Sequence, residues 1–161
     1  YQYSTQVNHN IKICHSPTNR YYKGSDIIID IGNKIANEND NVEFILIENK
    51  SQEETIRIKS KCDILIDQIY NRGGWGYGMS SIEAMAMGLC CATELNEEYE
   101  NFIPDHPFIN INSTNLYEKL SNLVSNPKSI EDLRNKSRNW VKQTHDIQVV
   151  GKSLYGYYDK F

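Results

Sequence analysis

The chain has 161 residues, of which 39% are apolar and 24% charged, and its formal net charge is −4. That length carries one domain with a real core and falls short of two ordinary ones. The acidic balance gives no electrostatic pull toward nucleic acid, so any phosphate site has to be built locally.

Residues 1–10 are polar and without pattern, and read as a linker or the tail of a missing upstream region; the chain opens at Tyr1 without methionine, which reads as a fragment. Ile11 to Cys14 is a short apolar run and predicts the first core strand. It leads into His15-Ser16-Pro17-Thr18-Asn19-Arg20-Tyr21-Tyr22-Lys23-Gly24, a loop by its Pro, Ser and Asn content. From Ser25, with Ser25 or Asp26 as cap, Ile27, Ile28, Ile31 and Ile35 recur at helical spacing. Val42 to Ile47 reads as a strand covered on both faces. A helix follows from Ser51, with Glu53 and Glu54 in its first turn, and ends near Lys61.

The central stretch runs from Cys62 to Thr93. Ile64 to Ile66 predicts a strand, Ile69 to Tyr77 a turn rich in glycine, residues 78–87 a helix, and Leu89 to Ala92 another strand. Two short buried strands joined by one helix form a βαβ unit with a right-handed crossover. Asn96 to Phe102 reads as a short helix or turn broken by Pro104, and Phe108 to Ile111 as one more strand. Ser113 or Thr114 then caps a helix carrying Leu116, Leu120, Leu123 and Val124. Pro127 begins a helix with Ile130, Leu133 and Trp140, and Ile147 to Phe161 is a last amphipathic segment. The alternation of strand and helix predicts an α/β fold with a doubly wound parallel sheet. In such sheets ligands bind beyond the carboxyl ends of the strands, the edge from which the Ser16 to Lys23 and Ile69 to Tyr77 loops both leave.

Several side chains in these loops can carry chemistry. Arg20 grips phosphate oxygens in pairs and Lys23 supplies a compact charge, although two solvated surface cations would look the same. Gly73, Gly74, Gly76 and Gly78 let a ligand approach the main chain, and the helix after them offers unpaired amides and a positive dipole end. Glu83, about one turn beyond that helix start, would repel phosphate but can accept hydrogen bonds from ribose hydroxyls; its other reading is a charge on an exposed face. Trp75, Tyr77 and Tyr70 form either a stacking surface or the aromatic lid of the core. His15 either reaches a phosphate or is a satisfied structural histidine. Asp67 either faces a ligand or caps a strand end. Cys14, Cys62, Cys90 and Cys91 have no metal-ligand spacing and read as buried thiols.

Gly76-Tyr77-Gly78, four residues, then Glu83-Ala84-Met85-Ala86-Met87-Gly88 resembles the donor-site motif of retaining glycosyltransferases of the two-domain GT-B type, usually numbered family 4 or group 1. Their pattern is Glu-Gly-Phe-Gly, four residues, Glu-Ala-Met-Ala, any residue, Gly. His-x-Pro-x-Asn-Arg-x-x-Lys-Gly in the first loop is similar to a bacterial branch of that family. The resemblance implies that residues 11–145 are the nucleotide-sugar-binding, Rossmann-like half of such an enzyme, with residues 146–161 a carboxy-terminal helix. It implies a nucleoside-diphosphate sugar as donor, no metal or other cofactor, and a missing amino-terminal acceptor domain as partner. Arg20 and Lys23 would hold and stabilise the leaving diphosphate, with Asp67 as a third catalytic group. Asn19, Gln68, Trp75, Gly76, Tyr77, Gly78, Met79, Ser80 and Glu83 would bind the donor. The departure is Trp75, which stands where the family has its first glutamate; an indole is neither base nor nucleophile. A branch of similar bacterial sequences reads Asp-Gln, a loop and Gly-Trp, so Trp75 fits a variant site as well as an inactive one. The implied role is hexosyl transfer in bacterial polysaccharide or surface-glycan synthesis, by a half that is inactive alone. No apolar run approaches the roughly 18 residues of a membrane span and no signal peptide opens the chain, so the expected location is the cytoplasm, up to the inner face of the plasma membrane. A nucleotide-sugar-binding module without catalysis and a sugar-nucleotide epimerase are the alternatives.

Overall fold

The structure is a computed structural model, and it describes residues 10–70, 72, 76–103 and 105–159. In chain order the elements are β1 (Ile11–His15), α1 (Arg20–Lys23), α2 (Ser25–Glu38), β2 (Val42–Leu46), α3 (Gln52–Lys59), β3 (Ile64–Ile66), α4 (Met79–Ala86), β4 (Cys90–Thr93), α5 (Glu97–Phe102), β5 (Ile109–Asn110), α6 (Leu116–Val124), α7 (Pro127–Thr144) and α8 (Ile147–Tyr158). Among the described residues five strands form one all-parallel sheet in the order β2-β1-β3-β4-β5. The expected doubly wound α/β fold is the one observed. Ile13 pairs with Phe44 on one side and with Ile64 on the other, which fixes the register at the centre. The winding reverses between β1 and β3, and a crevice opens beyond their carboxyl ends at such a point.

Side chains alternate across the strands with period two. Ile11, Ile13, Ile64, Ile66, Cys90 and Ala92 pack on one face against Ile28 and Ile35 of α2 and Leu116 and Leu120 of α6. Cys14, Leu65 and Cys91 pack on the other against Ala84 and Met85 of α4 and Trp140 and Val141 of α7. Each fully buried Ile or Leu contributes roughly 1.5–3 kcal/mol. The four cysteines are free and buried.

At the end of the sheet opposite the crevice, Arg134 of α7 reaches under β3. Its Nη1 donates to Asp63 Oδ1 at 2.5 Å and its Nε to the Gly88 carbonyl at 2.7 Å, while Asp63 Oδ2 accepts the Lys12 amide at 2.9 Å. Both side chains are buried, and this ion pair ties the carboxy-terminal helices to the starts of β1 and β3.

The structure departs from the sequence expectations at four places. The Ser16 to Lys23 stretch is not all loop: Asn19 accepts amide bonds from Tyr21 and Tyr22 and so caps the helical turn α1, which Gly24 closes at φ +64°. Gly24, not Ser25 or Asp26, is therefore the N-cap of α2, with no side-chain cap bond. Strand β2 is an edge strand, half-buried over Phe44 to Leu46, because the sheet order places only β1 beside it. Neither Ser113 nor Thr114 caps α6; Asn115 is its N-cap, and Asn112 Oδ1 accepts the Thr114 and Asn115 amides. The capping box of α3 is built by Ser51 and Glu54. Residues 1–9, Asn71, Gly73, Gly74, Trp75, Pro104 and residues 160–161 lie outside the described residues.

Candidate functional site

The site grows from two loops that leave the sheet at its switch point. After β1, α1 carries Arg20 and Lys23 at its two ends. After β3 come Asp67 and Gln68. The loops are pinned backbone to backbone: the Ile69 amide donates to the Lys23 carbonyl at 3.1 Å. Side chains lock them as well. Lys23 Nζ donates to Asp67 Oδ1 at 2.6 Å and to Gln68 Oε1 at 3.0 Å. Asp67 Oδ2 accepts from Ser81 Oγ of α4 at 2.5 Å, and Gln68 Nε2 donates to the Gly76 carbonyl at 3.0 Å.

This network brings the cationic loop to the start of α4. A Cβ placed on Gly78, the N-cap of that helix, would lie 3.4 Å from Lys23 Nζ and 3.2 Å from Asp67 Oδ2. Gly78, the start of α4 and Lys23 therefore share one rim. Beside them opens a cavity of about 880 Å³. Arg20, Lys23 and Ser16 line it from the first loop, Glu48 and Lys50 from the exit of β2, Lys59 from α3, and Met79, Ser80 and Glu83 from α4.

Arg20, Lys23 and Lys59 each pair with a carboxylate, but not equally. The exposed Arg20 guanidinium forks onto Glu48, with Nε to Oε1 at 2.8 Å and Nη2 to Oε2 at 2.6 Å. That contact holds the Glu48 carboxyl below its ordinary value and raises the guanidinium. In open solvent such a pair is weak and can exchange for a ligand anion. The Lys23–Asp67 pair is different, because Asp67 is buried and its removal from water has to be matched by the ammonium. Glu83 is neither an exposed surface charge nor a core residue: its side chain is 35% exposed and lines the cavity, and its carboxyl lies 3.5 Å from Lys59 Nζ.

The other sequence candidates fall elsewhere. Asn19 spends its carbonyl on the α1 cap. Asp67 and Gln68 hold Lys23 and the Gly76 carbonyl, and Asp67 is the counter-ion that supports the cation. Gly76, at φ +64°, packs so close to Tyr99 that a Cβ there would sit 2.2 Å from the ring. Tyr77 turns into the core: its ring stacks on Phe108 at 4.8 Å, meets Trp140 and Tyr99 edge-on, and its hydroxyl lies 3.1 Å from His145 Nε2. Its role is the aromatic lid, not a stacking surface in the cavity. Tyr70 packs against the first core cluster with the Arg72 guanidinium over its ring. His15 is structural, since Nδ1 donates to the Ile66 carbonyl at 2.7 Å and Nε2 accepts from Ser25 Oγ at 2.8 Å. The Trp75 expectation lies outside the described residues.

Sequence reasoning missed Lys59, Glu48 and Lys50. A lysine in the last turn of a helix reads as a solvated partner of the helix dipole, and nothing local marks Lys59 as buried. Glu48 and Lys50 could have been found from their place just beyond β2, the neighbour of β1 at the same edge. Among the described residues no group of three or more His, Cys, Asp or Glu side chains is arranged to hold a metal ion, and no helix is long and apolar enough to cross a membrane.

No protein-family model matches the chain, and no curated protein matches its sequence. Its fold does match solved structures. A variant of S. aureus TarM, crystallised with UDP, fondaparinux and α-GlcNAc-glycerol, aligns over 96% of this chain with a TM-score of 0.71 at 14% identity. Anabaena HepE with UDP and glucose aligns over 95% with a TM-score of 0.69 at 13% identity. The carboxy-terminal domain of LpcC, a glycosyl transferase group 1 family protein of Francisella tularensis, aligns over 88% of both chains with a TM-score of 0.60 at 15% identity. The chain spans 37% of the TarM variant and 49% of HepE. At these identities the likeness is one of fold: an α/β, Rossmann-like parallel sheet of the kind found in these GT-B neighbours.

Proposed function

We propose that this chain is the donor-binding half of a glycosyltransferase that takes a sugar from a nucleoside-diphosphate sugar and transfers it with retention of anomeric configuration. The observation that carries this is the convergence of Arg20, Lys23 and the amino-terminal end of α4 on one open cavity, with Glu83 on the α4 wall. Two cations and the amides at the start of α4 suit a diphosphate, and a carboxylate one turn away suits ribose hydroxyls. As the sugar–oxygen bond breaks, negative charge grows on the leaving diphosphate. Arg20, Lys23 and the amides at Met79 and Ser80 stabilise it there, which lowers the barrier without a proton transfer to the leaving group. Lys23 is pre-positioned by Asp67, so it does not have to reorganise when the charge appears. TarM and HepE, which share the fold, were crystallised with UDP, and uridine is the first base to try. Transfer requires an acceptor-binding partner domain; this half alone binds donor and transfers little. Polysaccharide or surface-glycan synthesis on the cytoplasmic side of a membrane is the setting that suits such a donor.

Calorimetric titration with UDP, GDP, ADP and CDP tests the reading. One of the four is expected to bind, and Arg20→Ala with Lys23→Ala to weaken it by at least about 100-fold, the worth of two hydrogen bonds to charged groups. Because Lys23→Ala strands the buried Asp67 carboxylate, the comparison is repeated with Arg20→Ala, Lys23→Met and Asp67→Asn against Asp67→Asn alone. Unchanged affinity in a folded variant removes the phosphate site. With full-length protein and a UDP-sugar, product formed in the absence of any acceptor would identify an epimerase.

A further inference from the structure

Lys59 is 2% exposed, yet it lines the cavity. Nζ donates to Ser80 Oγ at 2.7 Å and lies 3.5 Å from Glu83 Oε2. Both partners belong to the first five residues of α4, the helix whose start defines the anion end of the cavity. Burying an ammonium costs several kcal/mol unless its partners are fixed, and a methionine of similar length would fill the same space without that cost. The charge therefore has consequences for its two partners that packing does not require.

We infer that Lys59 is a positioning residue of the ligand site, setting Glu83 and Ser80 in the states in which they meet a nucleoside diphosphate; this rests on the donor-site reading above. Two effects follow from the geometry. Lys59 holds one oxygen of Glu83, so the carboxyl keeps a fixed orientation and leaves its other oxygen, Oε1, to accept from sugar hydroxyls. It also fills an acceptor position on Ser80 Oγ, so the serine hydroxyl proton is turned away from Lys59 and becomes a donor for a phosphate oxygen beside the α4 amides. A carboxylate alone at this place would repel the diphosphate. The ammonium behind it cancels that repulsion and lets one helix turn bind an anion and a diol together.

The test uses the four nucleoside diphosphates UDP, GDP, ADP and CDP, each with its 2′,3′-dideoxy counterpart, titrated into the unsubstituted chain and into Lys59→Met. Removing the ribose hydroxyls is expected to weaken binding to the unsubstituted chain about tenfold or more. Lys59→Met is expected to weaken the ribonucleotide by a similar factor and to bind ribo- and dideoxy-nucleotides nearly alike, since Glu83 is no longer held for the diol. Glu83→Gln and the double variant complete a cycle in which the two losses should not add. A variant that is folded by circular dichroism and still prefers the ribonucleotide as strongly as the parent overturns the inference, as does a cycle that is fully additive. Failure of the unsubstituted chain to bind any of the four overturns instead the donor site itself.

Discussion

His15 shows how a residue that chemistry could have used is taken by the fold. Its ring sits with no exposure between the Ile66 carbonyl and the Ser25 hydroxyl, an arrangement that places a proton on Nδ1 and pairs Nε2 with the hydroxyl. Burial pushes its pKa below the ordinary histidine value, and the hydrogen bond to Ile66 opposes this only in part. The unfolded chain takes up a proton near pH 6.5, whereas the folded chain does so only at lower pH. Stability that is complete above pH 6.5 is then lost as pH falls through that window, by up to about 1.4 kcal/mol per pH unit for one such group. His145, also lowered by burial, acts in the same direction, so the comparison that isolates His15 is between the parent and His15→Gln. Urea unfolding at pH 7.5, 6.5 and 5.5 should show a shallower loss of stability in His15→Gln. Parallel curves would mean that the fold tolerates the charged ring. Nothing in the sequence separates these roles, because a histidine directly after a strand points equally well at a ligand or at a neighbouring strand.

The decisive contact between elements is the clamp joining the loops after β1 and β3. Gly24 adopts φ +64°, and a Cβ there would lie 2.6 Å from the Ile69 carbonyl oxygen. The glycine thus serves two purposes at once, ending α1 in a left-handed conformation and letting the second loop approach. Gly24→Ala should cost at least about 2 kcal/mol, from the unfavourable backbone and the displaced carbonyl together. It should also move Lys23 off Asp67 and weaken nucleoside-diphosphate binding, so denaturation and titration are read on the same variant. Loss of less than about 0.5 kcal/mol, within the range of an ordinary surface change, would show that the loops are not clamped. At this scale the sequence was informative where chemistry is local. The Lys-Gly pair and the Met79 to Ala86 helix could be read from residue type and spacing. Asn19 as a cap and Asp67 as the counter-ion of Lys23 could not, since each depends on a contact made only after the chain folds, 44 residues apart in sequence for the ion pair.

For the molecule as a whole, the alternation of strand and helix was enough to give the parallel sheet, while strand order was not legible. Val42 to Ile47 looked covered because it is apolar, and only the order β2-β1-β3-β4-β5 makes it an edge. The same limit applies at the carboxyl end. α8 presents Ile147, Leu154, Tyr155 and Tyr158 to solvent, with exposures of 82%, 53%, 72% and 76%, and none of its residues is buried. Neither core cluster contains an α8 side chain, and none lines the cavity. At about 25 cal/mol for each Å² of apolar surface removed from water, a helix that removes so little adds little to stability. A chain ending at Asp146 should therefore unfold within about 1 kcal/mol of the parent, and His145 is kept so that its contact with Tyr77 survives. It should also bind nucleoside diphosphates with unchanged affinity, because Arg20, Lys23, Lys59 and Glu83 are all held by elements that precede it. A truncated chain that stays folded but loses the nucleotide would make α8 part of the site, and the cavity at the β1–β3 switch point would no longer account for binding by itself.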